Sequence, residues 1–133
     1  MSEIPQSAPD CSLSGKIAIV TGGGKGLGRA MTLGLAGAGV RVVATGAHDR
    51  DALDGVVAAA ADLAGDGRVI ATTADVADGA DCRRVVDETM AAFGGIDIMV
   101  NNAGVGMRTI SDAFFTEPIK FWQADSDRWR ALI

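Results

Sequence analysis

Four short apolar runs alternate along this chain with three longer stretches of helical periodicity. The runs are Ile17–Val20, Val40–Thr45, Val69–Ala74 and Ile96–Asn101. The first is continuous and ends in a cluster of glycines, a pattern typical of a strand buried on both faces of a parallel sheet. Parallel strands that alternate with helices require right-handed crossovers, so helices cover both faces of such a sheet. The sequence therefore predicts an α/β fold built on a doubly wound parallel sheet.

Three helices are predicted from residues that start and stop helices and from apolar side chains at helical spacing. The first covers about Gly26–Ala38 and is stopped by Gly39. The second begins after a cap at Asp49 or Asp51, and the third covers Asp78 to about Phe93. The apolar faces predicted for the first two helices are Leu27, Met31, Leu35 and Ala38, and Leu53, Val56, Val57, Ala60 and Leu63, respectively.

The length of 133 residues fits one domain, and an apolar content of 48% excludes a disordered chain. Residues 1–12 are polar and contain prolines, so we interpret them as a flexible tail before a domain at residues 13–133. A last helix is predicted from a cap at Ser126, with Trp129, Leu132 and Ile133 on its apolar face. Because that face is incomplete where the sequence stops, we expect a truncated domain that contains only the first half of the sheet.

Charge and cysteine content disfavour several classes of partner. The chain has 12 Lys and Arg against 17 Asp and Glu, and a net charge of −5 argues against nucleic acid or an anionic membrane. No apolar stretch approaches the roughly 20 residues of a membrane span. Cys11 and Cys82 lie far apart and His48 is the only histidine, so neither a metal site nor a disulfide framework is predicted. These features favour reduced thiols and a cytoplasmic location.

A glycine-rich segment, TGGGKGLG at positions 21–28, joins the first predicted strand to the first predicted helix. Gly22 permits a sharp turn out of the strand, Gly26 lets the backbone approach a diphosphate, and Gly28 allows close packing of the helix on the strand. The amides at the start of the helix would then face the anion, with the helix dipole behind them. The predicted cofactor-binding residues of this segment are Gly22, Gly24, Lys25, Gly26, Leu27 and Gly28.

Further candidate residues follow the later strands, at the edge where open α/β sheets bind their ligands. Thr45 lies at the end of the second strand, Asp75 and Val76 follow the third, and the sequence NNAG at 101–104 follows the fourth. By contrast, the acidic residues of the third helix follow a helical pattern, and we interpret them as a solvated face.

Taken together, these segments resemble the short-chain dehydrogenase/reductase family. The matching pieces are Leu13-Ser14-Gly15-Lys16 before the first strand, TGGGKGLG, the Asp75-Val76 pair and NNAG, all in the expected order and spacing. The resemblance extends from about Leu13 to Ile133. It implies a Rossmann-like sheet with strand order 3-2-1-4 and a nicotinamide dinucleotide as the cofactor.

The resemblance also implies a role for each segment. The backbone of the glycine-rich segment would hold the diphosphate, Asp75 would hydrogen-bond the adenine, and Val76 would flank it. Asn102 and Ala103 would pack along the adenine-side ribose, while Asn101 would steady the central strand. The predicted cofactor-binding residues outside the glycine-rich segment are Thr45, Asp75, Val76, Asn102, Ala103 and Gly104.

The activity that the resemblance implies is hydride transfer between a nicotinamide cofactor and the alcohol or carbonyl group of a small-molecule substrate. In the family pattern, a catalytic Asn, a Ser and a Tyr-x-x-x-Lys pair follow beyond the last residue of this chain. The chain has no tyrosine, so none of its residues is predicted to be catalytic. The longer protein is expected to be a homo-oligomer. The residues leave one alternative open, a non-catalytic nucleotide-binding or regulatory module.

The sequence favours NADP over NAD as the cofactor. In NAD-specific relatives, an acidic residue at the end of the second strand holds the ribose 2′-hydroxyl. Here that strand ends in Ala44-Thr45-Gly46-Ala47, and Asp49 comes a few residues later. Lys25 offers a cation to a 2′-phosphate, and Arg50 offers a second. NAD remains the alternative cofactor.

Overall fold

The computed structural model describes residues 12–105, 113, 115–118 and 120–130. The chain divides into two compact units, one ending at Asn102 and the other beginning at Ala103. The bounds in the first unit are β1 Ile17–Thr21, α1 Gly26–Gly37, β2 Arg41–Gly46, α2 Arg50–Ala64, β3 Val69–Thr73, α3 Gly79–Phe93 and β4 Ile98–Val100. The second unit contains a 3-10 helix, Phe121–Gln123, and α4, Ser126–Arg130. Apart from Ser12, the predicted tail lies outside the described residues.

The sheet has the strand order β3-β2-β1-β4, and every pair of neighbouring strands is parallel. Ala18 in β1 pairs with Val42 on one side and with Ile98 on the other. The α/β class, the doubly wound parallel sheet and the order 3-2-1-4 are therefore confirmed. This topology brings the carboxyl ends of β1, β2, β3 and β4 to one edge of the sheet, where the predicted site residues follow the strands.

β4 is shorter than the predicted run Ile96–Asn101. Just before β4, Asp97 forms two hydrogen bonds with Ile17. The Asp97 N–H donates to the Ile17 carbonyl at 2.8 Å, and Asp97 Oδ2 accepts the Ile17 N–H at 2.9 Å. At its end, the Asn102 N–H turns back to the Val100 carbonyl at 3.1 Å. Side-chain and turn hydrogen bonds therefore replace regular strand pairing at both ends of the run.

Two apolar clusters cover the two faces of the sheet. One joins β1 and β2 to Ala36 of α1 and to Leu53 and Val56 of α2. The other joins Ile19 and Val43 of the same strands to Ala74 and to Val85 of α3. Every residue of β1 is buried, because this strand is central and covered on both faces. Helices on both faces explain the continuous apolar run of β1 in the sequence.

The prediction of the buried face of α1 is wrong: the residues that are buried lie one position later in the chain than the predicted ones. Leu27 is 70% exposed, and the buried residues of α1 are Gly28, Thr32 and Ala36. Small side chains occupy this face because the helix lies very close to the chain segment that leaves β1. In α2 the predicted face is confirmed at its centre, but Leu63 at its end is 60% exposed.

Aspartates begin α2 and α3, and glycines end the helices. Oδ1 of Asp49 accepts a backbone N–H of the first turn at 2.9 Å, so the structure uses Asp49 rather than Asp51 as the cap. Asp78 caps α3 in the same way at 2.8 Å, as predicted. Gly39 after α1 and Gly94 after α3 have φ angles of 89° and 82°, which only glycine adopts freely.

The prediction that Ser126 caps the last helix is also wrong. Oδ1 of Asp125 accepts two N–H groups of the first turn, at 2.9 and 3.0 Å, and Ser126 is the first helical residue. These two hydrogen bonds lower the pKa of Asp125. The end of the predicted apolar face, residues 132 and 133, lies outside the described residues.

Candidate functional site

The glycine-rich segment forms a tight loop between β1 and α1. Gly22 and Gly26 have φ angles of 64° and 52°, in the left-handed region that a glycine adopts without strain. The Gly23 N–H donates to the carbonyl of Thr45 at 2.9 Å, which fixes the loop to the end of β2. A Cβ atom built on Gly26 would meet no atom of the described residues within 4 Å, so that part of the chain leaves the loop accessible at this point.

Gly28 lies where α1 approaches the loop most closely. A Cβ atom on Gly28 would overlap the carbonyl oxygen of Gly22, and it would lie 2.7 Å from the Gly22 carbonyl carbon and 2.5 Å from Asn102 Nδ2. A residue with a side chain cannot occupy this position unless the backbone moves. The close approach expected of Gly28 is therefore present, but the surface that α1 meets here is the loop at Gly22 and not the strand β1, as was predicted.

The start of α1 differs from the starts of α2 and α3. Lys25 occupies its cap position, no side chain among the described residues caps it, and its first turn contains no acidic residue. Asp49 and Asp78 fill the equivalent positions of the other two helices. The first N–H groups of a helix carry a partial positive charge and need acceptors. An uncapped helix start beside an open glycine loop is the arrangement that binds a phosphate group.

Asn102 fastens the end of β4 to this loop. Its Nδ2 donates to the carbonyls of Thr21 and Gly22 at 3.1 and 3.2 Å, and its N–H donates to Thr21 Oγ1 at 3.0 Å. The residue that makes these bonds is Asn102. Asn101 is exposed, and its role in steadying the central strand stays a prediction. Ala103 and Gly104 begin the second unit and are both exposed.

Thr45 lies on the side of the sheet that α3 covers. It is 1% exposed, and its Oγ1 has no hydrogen-bond partner among the described residues. It faces an apolar cavity of about 210 Å³ between α3 and the sheet, which Thr21 and Asn101 also line. Thr45 contributes its backbone carbonyl to the glycine loop, while its side chain belongs to this separate cavity.

Asp75 and Val76 form an exposed turn between β3 and α3. The Asp75 N–H donates to Asp81 Oδ2 at 2.9 Å, and Asp75 Oδ1 accepts the Ala77 N–H at 2.9 Å. The bond from Asp75 is the largest cause of the lowered pKa of Asp81, and Arg84 is the second. The turn is therefore held by ionised Asp81 at neutral pH. Val76 is 48% exposed, so its side chain is accessible to a ligand.

Arg84 is a residue that the sequence analysis missed. Its guanidinium donates to the Thr73 carbonyl at 2.7 Å and to Thr72 Oγ1 at 3.0 Å, which ties α3 to the end of β3. It also pairs with Asp81 and Glu88, both at 3.1 Å. Asp81 and Glu88 belong to the acidic face predicted to be solvated, and both stay partly exposed, by 31% and 42% of their side chains, while they pair with Arg84. Their positions three residues before and four residues after the arginine are the available sequence signal.

A polar recess of about 470 Å³ lies beside the glycine loop and is lined by Lys25, His48, Asp49, Arg50 and Asp51. Lys25 Nζ forms an ion pair with Asp49 Oδ2. Arg50, the second predicted cation, pairs with Asp54 at 2.9 Å. Lys25 and then the α2 backbone lower the pKa of Asp49, so its carboxylate is ionised at neutral pH. Both predicted cations are therefore present, and both are held by carboxylates.

The described part of the chain contains no group of three or more His, Cys, Asp or Glu residues that could hold a metal ion. None of its helices combines the length and the apolar character needed to cross a membrane. Cys82 is an exposed free thiol whose Sγ donates to the carbonyl of Val76 at 3.4 Å.

Comparisons with known sequences agree on one family. A sequence profile described as "short chain dehydrogenase" matches residues 16–133. The 3-oxoacyl-[acyl-carrier-protein] reductase of Synechocystis sp. is 35% identical over 116 residues, which cover 87% of this chain and 45% of the reductase. The hydroxyacyl-CoA dehydrogenase ChsB1 of Mycobacterium tuberculosis is 41% identical over 108 residues, which cover 76% of this chain and 32% of the dehydrogenase.

Comparisons with solved structures give the same result. L-Sorbose reductase from Gluconobacter frateurii, complexed with NADPH and L-sorbose, has a TM-score of 0.74 and 31% identity; the match covers 92% of this chain and 42% of the reductase. A short-chain dehydrogenase/reductase from Burkholderia phymatum in complex with NAD has a TM-score of 0.66 and 37% identity, covering 71% and 33%. The chain spans less than half the length of the relatives named here.

Proposed function

The chain belongs to the short-chain dehydrogenase family, and we propose that it is the dinucleotide-binding part of an oxidoreductase that acts on a small molecule. The reaction is hydride transfer between a nicotinamide cofactor and an alcohol or carbonyl group. The doubly wound sheet, the glycine loop and the relatives support this proposal. The relatives are named as reductases and dehydrogenases, which favours an oxidoreductase over the non-catalytic module that the sequence left open.

The single observation that carries the proposal is the uncapped start of α1 beside the open loop at Gly26. This loop fits a diphosphate, because its backbone can be approached closely and the helix N–H groups supply donors. Gly28 fixes the distance between the helix and the loop, and Asn102 holds the turn at Gly22. The residues from Gly22 to Gly28 would therefore bind the diphosphate through their backbone.

The adenosine half of the cofactor would lie along the ends of β3 and β4. Asp75 and Val76 are both exposed, and the network of Asp81 and Arg84 holds their turn in place. Asp75 would hydrogen-bond the adenine and Val76 would cover one side of it. We propose that Asn102 and the two residues after it, Ala103 and Gly104, pack along the ribose next to the adenine.

When bound, the nicotinamide supplies or accepts the hydride. This chain has no tyrosine. We therefore propose that its residues bind and orient the cofactor and that none of them is catalytic. We propose NADP as the preferred cofactor, because Lys25 lies in the loop and lines the recess beside it. A cytoplasmic location and a homo-oligomeric state of the longer protein remain predictions from the sequence.

A titration of the purified chain with NADPH and NADH tests the proposal. We expect saturable binding, followed by fluorescence of the reduced nicotinamide, and no turnover with a panel of alcohols and ketones. Absence of a positioned acid/base alone lowers the rate of such a reaction by roughly 10²–10⁴. Sustained turnover by the chain would show that it contains a catalytic residue and would contradict this assignment.

Leu27 offers a matched pair of variants for the same titration. It is 70% exposed in the first turn of α1, where an aspartate suits the helix dipole and should not disturb folding. Leu27→Asp places a negative charge where the diphosphate would bind, and we expect at least a roughly tenfold loss of affinity for both dinucleotides. Leu27→Asn has nearly the same shape without the charge, and its affinity should stay near that of the wild type.

A further inference from the structure

The turn at Asp75 and Val76 leaves the sheet at an edge strand. β3 is the outermost of the four described strands and pairs with β2 alone among them. Beyond the strand, the Ala74 N–H donates to the Gly46 carbonyl of β2 at 3.0 Å. The Asp75 N–H, one residue later, donates to Asp81 of α3 and not to a strand. The position of the turn relative to the sheet therefore depends on α3.

The two oxygens of Asp81 have separate partners. Oδ2 accepts the Asp75 N–H at 2.9 Å, and Oδ1 accepts a guanidinium N–H of Arg84 at 3.1 Å. The Asp75 N–H and then Arg84 lower the pKa of Asp81, so both oxygens are acceptors at neutral pH. An asparagine in this place has one acceptor oxygen and could serve only one of the two donors. The carboxylate of Asp81 therefore joins Arg84 to the turn.

Arg84 fixes Asp81 relative to the sheet. Its Nη2 donates to the Thr73 carbonyl at 2.7 Å as well as to Asp81. Its Nη1 donates to Thr72 Oγ1 at 3.0 Å and to Glu88 at 3.1 Å. The guanidinium group is planar and rigid, so these four acceptors together determine its orientation. The carboxylate that holds the turn is therefore placed by contacts with the last two residues of β3.

The carboxylate of Asp75 has one oxygen engaged inside the turn and one available to a ligand. Oδ1 accepts the Ala77 N–H at 2.9 Å, whereas Oδ2 has no partner among the described residues. A carboxylate oxygen accepts an N–H group and repels a carbonyl oxygen. Adenine carries an amino group at position 6 of the purine ring, where guanine carries an oxygen. The direction of Oδ2 therefore decides between adenine and a 6-oxopurine.

We propose that Arg84 is a positioning residue for the base of the cofactor: through Asp81 it orients Asp75, and so it sets the preference for adenine over a 6-oxopurine. This inference rests on the proposed function and concerns the same site. Arg84 acts through α3 and the turn, without touching the cofactor. Binding of the diphosphate, which the loop after β1 would provide, should not depend on it.

The test compares Arg84→Met with Arg83→Met in the full 133-residue chain. Both variants remove one positive charge from α3, and methionine and arginine have similar helix propensities. Arg83 is exposed and takes no part in the salt bridges of α3 among the described residues, so it is the matched control. The probes are ADP and inosine 5′-diphosphate, which differ only at position 6 of the purine ring, and calorimetry measures their affinities.

For Arg84→Met we expect the preference for ADP to fall roughly fivefold, the effect of one lost hydrogen bond, through weaker binding of ADP. For Arg83→Met it should change by less than about twofold, as expected for an exposed charge that is screened by salt. Glu88→Gln removes a charge beside Arg84 but leaves its bond to Asp81, and should stay within the same limit. Asp81→Asn should act like Arg84→Met but add little in that background, because its amide oxygen is then free for the turn.

A merely structural role of Arg84 would lower the thermal stability and both affinities together, and the preference for ADP would stay at the wild-type value. That result, or equal changes of the preference in Arg84→Met and Arg83→Met, would overturn the inference alone. Equal affinities of the wild-type chain for the two probes would overturn it as well, since Asp75 would then not select the base. Failure of the folded wild-type chain to bind either diphosphate would instead overturn the proposed function.

Discussion

Replacing Gly28 with alanine should unfold the site, with a loss of about 3 kcal/mol or more in the free energy of unfolding. The added Cβ atom would overlap the carbonyl oxygen of Gly22 and come within 2.5 Å of Asn102 Nδ2. The Gly22 carbonyl is backbone, so α1 must move away from the loop. Asn102 Nδ2 must shift as well, which would weaken its hydrogen bonds to the Thr21 and Gly22 carbonyls. Urea denaturation followed by circular dichroism measures the loss.

Gly34→Ala is the matched control, because Gly34 lies in the same helix and its Cβ atom would meet no atom of the described chain within 4 Å outside the helix itself. Alanine is favoured over glycine within a helix by roughly 0.5–1 kcal/mol, so this variant should be slightly more stable than the wild type. A Gly28→Ala chain as stable as Gly34→Ala would show that α1 does not pack against the loop as described.

Lys25→Ala should reduce the affinity for NADPH by roughly 10- to 100-fold, the loss expected when a charged hydrogen bond to a phosphate is removed. The affinity for NADH should change by less than about threefold, because that cofactor has no 2′-phosphate. The lysine is exposed, so its removal should leave the fold intact. Equilibrium titrations with the two reduced cofactors at one ionic strength give the ratio of the two affinities directly.

Lys16→Ala controls for the general effect of charge. Lys16 is exposed and precedes β1, at the opposite edge of the sheet from the glycine loop. Removal of Lys16 lowers the net charge of the chain by the same amount as removal of Lys25. It should reduce the affinities for NADPH and NADH equally and only slightly. If Lys25→Ala also reduced the affinities for NADPH and NADH equally, the preference for NADP could not be assigned to Lys25.

The strands and the ends of most helices could be predicted because they depend on local signals, whereas the strand order 3-2-1-4 was implied by the resemblance to the family. Asp78 at the start of α3 and the glycines at 39 and 94 act within one turn of the chain. The central strand is buried on both faces, so its apolar run identifies it without knowledge of its neighbours. The choice of Asp125 over Ser126 as a cap was missed because both residue types cap helices well.

The contacts that hold the site together could not be predicted from sequence in the same way. Asn102 binds carbonyls about 80 positions away, and Lys25 meets Asp49 only because β1 and β2 are neighbours in the sheet. The buried face of α1 depends on how closely the helix approaches the loop. Small residues permit a close approach, but their presence in the sequence does not predict one. Arg84 was missed because its role is decided by carbonyls at the end of β3.

The claim that the glycine loop binds a nicotinamide dinucleotide is tested most directly by amide nuclear magnetic resonance of the chain during titration with NADPH. We expect the largest shifts at the backbone amides of residues 22–28, with smaller ones at Asn102 and at the turn of Asp75 and Val76. The amides of Gly65 and Gly67, which follow α2 at the other edge of the sheet, should not move. A well-folded chain in which the amides of 22–28 stay unchanged at saturating NADPH would contradict the claim.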